Sequence, residues 1–558
     1  MWYDSANQTL LQEIPYMNSI FLLGTAEDGP VNRPVKINHP EQAKKIFSTI
    51  GSLYKGYMQG YSIAPELDYF LVRITGSYAR GLYLDKLTFR SKGAGVKYND
   101  IKISIEQLTY FTGNIEWALV VYPHEVLGEP VAYFLKDFPK LGLLIQAINA
   151  DTDAGRGCIY TNTVHYGLSS LVLTDNGEEE ILLSGGLDGL DASKNDLYRA
   201  LDKTYQLLEG RGIRIIVPLG VYFDDMWDQY FYNLDTYGNA YYTREEDPLD
   251  ITRTGGQIHS TNGMFMQIYN SLVFNEFYSQ SEEHEDLIVT DGEGDQCTFH
   301  EQLIDFCRAQ QRFGMITHGV LGLRPFSDWL IQNMHTLEYK HVPRLVTVTA
   351  LGSRMGFYDH DSQRDKGFYI SIFAGDFLFT YDNPYWDSGA VVYATMIAKH
   401  GLEGTSNKVI PGNPEYRPIL QSTELKALST LGVVGCRTSP IKGMVVHNGV
   451  TPGLYQGELH NLANVTMAQI AVFHINQILQ EYKGEPIPPE RVPIVVMNLK
   501  RDINETLAML QDNQIILGYS FNVISTTSRQ WSCELNLTGK QTIADINIPL
   551  EMIYGGSS

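Results

Sequence analysis

Residues Ser19–Pro30, SIFLLGTAEDGP, read as a buried strand running into a tight glycine-containing turn. Ile543–Tyr554, IADINIPLEMIY, alternates apolar and polar residues almost to the end of the chain. A period of two marks a half-buried strand. In the last segment Ile546, Ile548, Leu550, Met552 and Tyr554 share one face; shortly before it, Trp531, Cys533, Leu535 and Leu537 alternate with Ser532, Glu534, Asn536 and Thr538. Pro549 has no N–H to give a ladder, so the final strand is expected at an edge, or paired on one side there. Two strand-like ends framing a long body imply a subunit that completes its sheets with neighbouring chains.

The body is 558 residues long, enough for about three or four domains. With 42 basic and 64 acidic residues the formal charge is −22. That sign opposes sequence-independent nucleic-acid binding, which draws its affinity from phosphate neutralisation, and opposes adsorption to an anionic membrane. The 35 tyrosines suit protein–protein contacts, although tyrosine also simply fills strands. Five scattered cysteines without a CxxC argue against a disulfide framework or zinc site, and no cofactor is expected. MWYDSANQ has neither the basic nor the apolar region of a secretory signal, and no uninterrupted apolar run approaches a bilayer span. Synthesis in a cytoplasm is the resulting expectation.

The periodicities predict a multidomain α/β chain. Residues 1–18 read as an arm. Ile20–Leu23, a helix over His39–Ile50 and a strand over Tyr69–Ile74 form a β–α–β unit, the opening part of the core over 19–77. Residues 78–163 read as an inserted β-rich domain and 164–381 as a central α/β domain, with a surface insertion at about 223–295. Within it Ile181–Pro218 reads strand, helix, strand, as in a parallel crossover. Ser193 and Asp196 form a capping box, and Leu197, Leu201, Thr204 and Leu208 recur at helical spacing. Residues 382–542 read as a C-terminal core domain, with helices over Asp387–His400, Thr423–Leu431, Val465–Lys483 and Asn498–Gln511; 543–558 is the closing arm strand.

The chemical motifs are weak. Ser184–Gly189, SGGLDG, lacks the Lys-Ser/Thr of a P-loop and the spacing of a dinucleotide site, and reads as a tight turn. His300-Glu301 has no second histidine at metalloprotease spacing, and Asp291–Asp295, DGEGD, does not continue into a calcium loop. There is no GxSxG, and nothing selects two of the 64 acids as a catalytic pair.

An ordered set of segments carries a resemblance. SIFLLGTAEDGPVNRPVKINHPEQAKKIF resembles the opening of contractile-tail sheath subunits, with Ser48 where a glycine is usual. LVRITG (Leu71–Gly76) and GVKYNDIKISI (Gly95–Ile105) are similar to the segments that follow there, with Tyr98 in place of a common glycine. LSGGLDG with the YRAL helix resembles the sheath core. LKALSTLGVVGCRTSPIKGMVVHNGVT resembles its C-terminal stretch, without the usual Asn after Val433; residues 223–295 match nothing.

The resemblance implies a non-enzymatic subunit that forms hexameric rings, stacked helically around a tail tube and contracting to drive it. A mixed-sheet core built from N- and C-terminal parts is implied, with terminal strands exchanged between subunits by β-augmentation. Trp2, Tyr3, Leu10 and Leu11 of the first arm, and Ile546, Ile548, Leu550, Met552 and Tyr554 of the last, are the expected inter-subunit residues. Lys500 and Arg501 are the expected tube contacts. Baseplate and tail-terminator proteins are further partners, and the location is a virion tail made in a host bacterium. The alternatives are an acidic glycosidase, requiring two carboxylates at fixed separation, and another self-assembling shell protein.

Overall fold

The computed structural model describes residues 14–83, 87–123, 130–151, 159–163, 173–174, 179–223, 232–234, 240–242, 299–323, 358–359, 364–380, 384–412, 414–417, 422–430, 432–453, 458–482, 488–526 and 531–539. The chain enters through β1 (Ser19–Gly24), β2 (Val35–Ile37), α1 (Pro40–Phe47), α2 (Ser52–Ile63) and β3 (Asp68–Arg73). The β–α–β expectation holds, with one difference. The helix starting at Pro40 stops at Ser48, and Gly51 is the N-cap of a second helix. Two glycines inside that second helix, Gly56 and Gly60, hid it from the periodicity.

A β-rich insertion follows: β4 (Tyr78–Tyr83), β5 (Leu87–Ala94), β6 (Lys102–Thr109), β7 (Ile115–Tyr122), β8 (Val131–Phe134), α3 (Leu141–Ala150), β9 (Ile159–Thr163) and β10 (Glu179–Leu182). Its sheets run β4-β5-β9 and β10-β6-β7-β8. β10 pairs antiparallel with β6, so the strand read at Ile181 belongs to the insertion and not to a parallel crossover. Hydrophobicity alone does not say which sheet a short strand joins.

The chain then returns through α4 (Lys194–Leu208), β11 (Ile215–Pro218), α5 (Phe299–Arg312), β12 (His318–Gly322) and β13 (Ile370–Phe373). β14 (Asp376–Phe379), β15 (Tyr385–Ser388), α6 (Ala390–His400), β16 (Tyr416–Arg417), α7 (Ser422–Thr430) and β17 (Val433–Val434) come next. The capping box is present: the Asp196 N–H donates to Ser193 Oγ at 3.1 Å.

The core is one seven-stranded sheet in the order β2-β3-β1-β11-β12-β13-β17, parallel except for β2 at one edge. Strands covered on both faces should be apolar throughout, and every residue of β1, β11 and β12 is buried. Phe21 and Leu23 face a core shared with α4, α5 and α7, whereas Ile20 and Leu22 face α1, α2 and α6. The chain order reverses between β1 and β11, where α/β sheets open a crevice at the strand ends.

Arg73, fully buried at the end of β3, joins this sheet to the insertion. Its guanidinium donates to the carbonyls of Gly29 (3.1 Å), Ala94 (2.6 Å) and Asp188 (2.9 Å). Around it the Tyr98 hydroxyl donates to Asp28 at 2.7 Å, and the Val96 N–H to Asp188 Oδ1 at 2.8 Å. Asn99 brackets Gly186 through both its amide atoms, at 2.9 and 2.7 Å. The segments EDGP, VRITG, GVKYND and SGGLDG therefore meet at one buried cation. Gly185 and Gly189, at φ +79° and +66°, make the tight turn expected of SGGLDG.

After the hairpin β18 (Cys436–Ser439) and β19 (Gly443–Val446), the chain ends its described part as a helical pair and a hairpin. These are α8 (Leu462–Tyr482), α9 (Val492–Asp512), β20 (Gly518–Thr526) and β21 (Trp531–Thr538). α8 is long and apolar enough to cross a membrane by length and composition, but its apolar residues enter a core with Leu499, Ile503, Leu507 and Leu510 of α9. Arg214 bolts this unit to the sheet: its guanidinium donates to Thr466 Oγ1 (3.0 Å) and Gln469 Oε1 (3.2 Å) of α8, and its N–H to Ser19 Oγ (3.1 Å).

Candidate assembly surface

The hairpin β20–β21 is in register from Gly518 opposite Thr538 to Thr526 opposite Trp531, with an irregularity between Val523 and Ser525. Alternation divides it into two faces. Phe521 is buried, and Tyr519, Val523, Leu535 and Leu537 are half-buried against α9, whose Asn504 carbonyl accepts the Tyr519 hydroxyl at 3.2 Å. Ser520, Asn522, Ile524, Glu534, Asn536 and Thr538 are turned outward. Of the face read from sequence, Leu535 and Leu537 are on the packed side and Cys533 is exposed.

Among the described residues no third strand joins this hairpin, so neither outer edge is paired with a described strand. A two-stranded sheet is marginal on its own, and an open edge is a template for another strand. The residues expected to supply such strands, Ile546, Ile548, Leu550, Met552 and Tyr554, and Trp2, Tyr3, Leu10 and Leu11, lie outside the described residues. Of the expected arm over 1–18, residues 14–18 are described. Ile14 and Met17 are buried in the C-terminal core, and the Tyr16 hydroxyl accepts the Ile316 N–H at 3.2 Å.

Lys500 and Arg501 lie on α9, midway along its length. Arg501 is 62% exposed, yet its Nε and Nη2 both donate to Asp502 Oδ1, at 3.0 and 2.9 Å, and Glu505 stands 3.9 Å away. The Tyr482 hydroxyl and this guanidinium hold the Asp502 carboxyl below the usual carboxylate range. The Arg501 charge is thus compensated within its own helix. Its solvent face also presents Ile494 and Met497, 56% and 63% exposed, two turns and one turn before Arg501 respectively. The sequence reading began this helix at Asn498, because Pro493 and its neighbours looked like a bend, and so missed both; proline is in fact well suited to a helix's first turn.

Of the other motifs, Asp291–Asp295 lies outside the described residues. His300 is buried on α5, and burial pushes its pKa down to about 3. No group of three potential metal ligands occurs among the described residues. The crevice at the strand ends is lined by a single acid among the described residues, Asp387.

No family model matches the sequence, and no curated protein is similar to it. Among solved structures, a sheath tail protein from Listeria innocua is similar at 10% identity and a TM-score of 0.47, over 96% of this chain and 98% of that one. A sheath tail protein from Desulfitobacterium hafniense is similar at 10% identity and a TM-score of 0.44, over 91% of this chain and 90% of that one. A chain of the anti-feeding prophage baseplate in its contracted state gives 10% identity and a TM-score of 0.43, over 96% and 93%. Each of these three is aligned over at least 91% of this chain.

Proposed function

We propose that this chain is the subunit of a contractile tail sheath, assembled as hexameric rings stacked around a tail tube. The observation that carries the reading is the C-terminal hairpin, packed in one core with α8 and α9 and joined by no third strand among the described residues, followed in sequence by the alternating segment Ile543–Tyr554. A strand from a neighbouring copy would complete the sheet through main-chain hydrogen bonds, with Ile546, Ile548, Leu550, Met552 and Tyr554 adding an apolar face. The other arm, with Trp2, Tyr3, Leu10 and Leu11, would supply a second link. Links of this kind let rings rotate and slide without separating. The extended sheath would be a kinetically trapped state whose relaxation drives the tube, with no nucleotide consumed.

In this reading the chain is not an enzyme. It is made in a bacterial host's cytoplasm and acts in the tail, touching baseplate, terminator and tube proteins but neither nucleic acid nor membrane directly. The α9 face with Lys500 and Arg501 is the proposed tube contact, and Ile494 and Met497 would supply its apolar part.

The test is deletion of residues 543–558. The truncated chain should stay folded and monomeric, and fail to build the striated tubes that the intact chain forms under the electron microscope. Long tubes from the truncated chain would remove this strand from the assembly mechanism.

A further inference from the structure

The switch point of the central sheet opens into a cleft of about 450 Å³. One wall is the first two turns of α2, carrying Lys55. The opposite wall is β15 with the start of α6, and the floor is the 218–222 loop together with Gly322 at the end of β12. Crevices in this position are where doubly wound sheets hold small ligands, and the volume suits one of mononucleotide size.

The chemistry of the cleft is that of an anion site in an otherwise acidic chain. α6 starts at its wall, and the N-cap, Gly389, provides no side chain to cap the first amides. Those N–H groups and the helix dipole favour negative charge. Beside them Ser388 is 6% exposed; its hydroxyl lines the cleft and has no hydrogen-bond partner among the described residues. A buried hydroxyl left without a partner calls for an explanation, and a ligand is one. A Cβ on Gly322 would fall 1.8 Å from this hydroxyl, so glycine keeps the space beside it clear.

Lys55 adds an exposed cation whose ammonium lies 5.2 Å from the Tyr385 ring and whose charge also acts on Asp387. Asp387, the lining acid, is already occupied. Gln59 Nε2 donates to its Oδ2 at 2.7 Å, and the Ser388 N–H to its Oδ1 at 2.8 Å. Three rings line the walls, Tyr222, Tyr385 and Trp386. Each has a cation over it: Lys194, Lys55 and Arg417 respectively. Flat ligands stack on such faces.

We propose that this cleft binds a phosphorylated small molecule with a flat ring, the phosphate held by Ser388 Oγ, Lys55 and the first amides of α6. The glycine-rich SGGLDG, the more obvious lead in the sequence, is occupied around Arg73 and takes no part.

The experiment is calorimetric titration of the full chain with AMP and, separately, with inorganic phosphate. We expect one AMP per chain, bound more tightly than phosphate. Lys55→Gln and Ser388→Ala should each weaken AMP about tenfold, the scale of one charge-assisted hydrogen bond. Neither should lower the melting temperature, since Lys55 is exposed and the serine hydroxyl satisfies nothing in the free chain. Phosphate binding as tight as AMP would overturn the ring contact. No heat from either probe at millimolar concentration, or AMP binding that survives both substitutions, would overturn the site itself.

Discussion

Buried charge in this chain is used where separate parts of the fold meet. Arg73 carries three backbone carbonyls on one guanidinium; burial pulls its pKa down, and Asp28 and Asp188 nearby partly offset this. Replacing it by methionine fills most of the volume but strands those carbonyls. Arg73→Met should therefore cost about 3 kcal/mol in urea unfolding, at the upper end for a lost buried network. Buried histidines make a second prediction. His300 and His318 sit with their pKa values pushed down to about 3 by burial, so the folded chain keeps both neutral while the unfolded chain protonates them near 6.5. The unfolded state binds more protons, and stability is complete above that pH and declines as pH falls towards 3. By pH 5 the two together should have removed about 4 kcal/mol. Asp387 acts in the opposite sense, because burial raises its carboxyl above the usual range and folding favours its protonated form. His300→Leu isolates one contribution. Its unfolding free energy between pH 7 and pH 5 should fall about half as steeply as that of the parent, and an unchanged slope would mean that His300 is not kept neutral by the fold.

At the scale of elements, α2 is the instructive case. Gly56 and Gly60 lower its helix propensity, yet a Cβ at Gly56 would stand 2.7 Å from Leu219 Cδ1, and one at Gly60 2.6 Å from Tyr69 Cε1. The glycines let the helix lie close against the sheet. Alanine gains up to about 1 kcal/mol in helix propensity. Overpacking removes about 1–3 kcal/mol, so Gly60→Ala, against a rigid buried ring, should lower the melting temperature, whereas an exposed-helix glycine would raise it. The same case marks what the sequence could reveal. β1, the Ser193 cap, the α4 leucines and the two faces of β21 follow from local rules of period and capping, and they were readable. α2 was not, because its glycines are explained only by Leu219 and Tyr69, which lie far away in sequence or in another element. The partner of β10 was not readable either, since a four-residue strand carries no address. Arg73 and Arg214 looked like ordinary strand residues until the loops and helices that close over them were in place. Of the assembly surface, the packed face of β21 was legible from alternation. The open edges were not, because an edge is defined by what fails to pair with it.

Across the whole molecule, two connections determine how the C-terminal unit behaves. The first is Arg214, which has no acidic partner among its hydrogen bonds and joins β11 to α8 while Ser19 holds its backbone. Removing a buried guanidinium leaves Thr466 and Gln469 facing an empty pocket, so Arg214→Ala should destabilise the chain by about 3 kcal/mol. It should also separate melting of the C-terminal unit from that of the sheet, giving two calorimetric transitions where the parent gives one. The second connection is the hairpin. Among the described residues β20 and β21 hold each other across a single ladder, and no other strand pairs with their outer edges. Local opening there needs the loss of one ladder and the half-buried Tyr519, Val523, Leu535 and Leu537, far less than opening the seven-stranded core. Amide hydrogen exchange over Gly518–Thr538 should therefore be fast in the isolated chain relative to β1 and β11. If neighbouring strands complete this sheet, the same amides become slow in assembled material while β1 and β11 do not change. Deleting residues 543–558 should leave the hairpin fast under assembly conditions. Protection that appears in the truncated chain would mean that something other than this strand covers the edge.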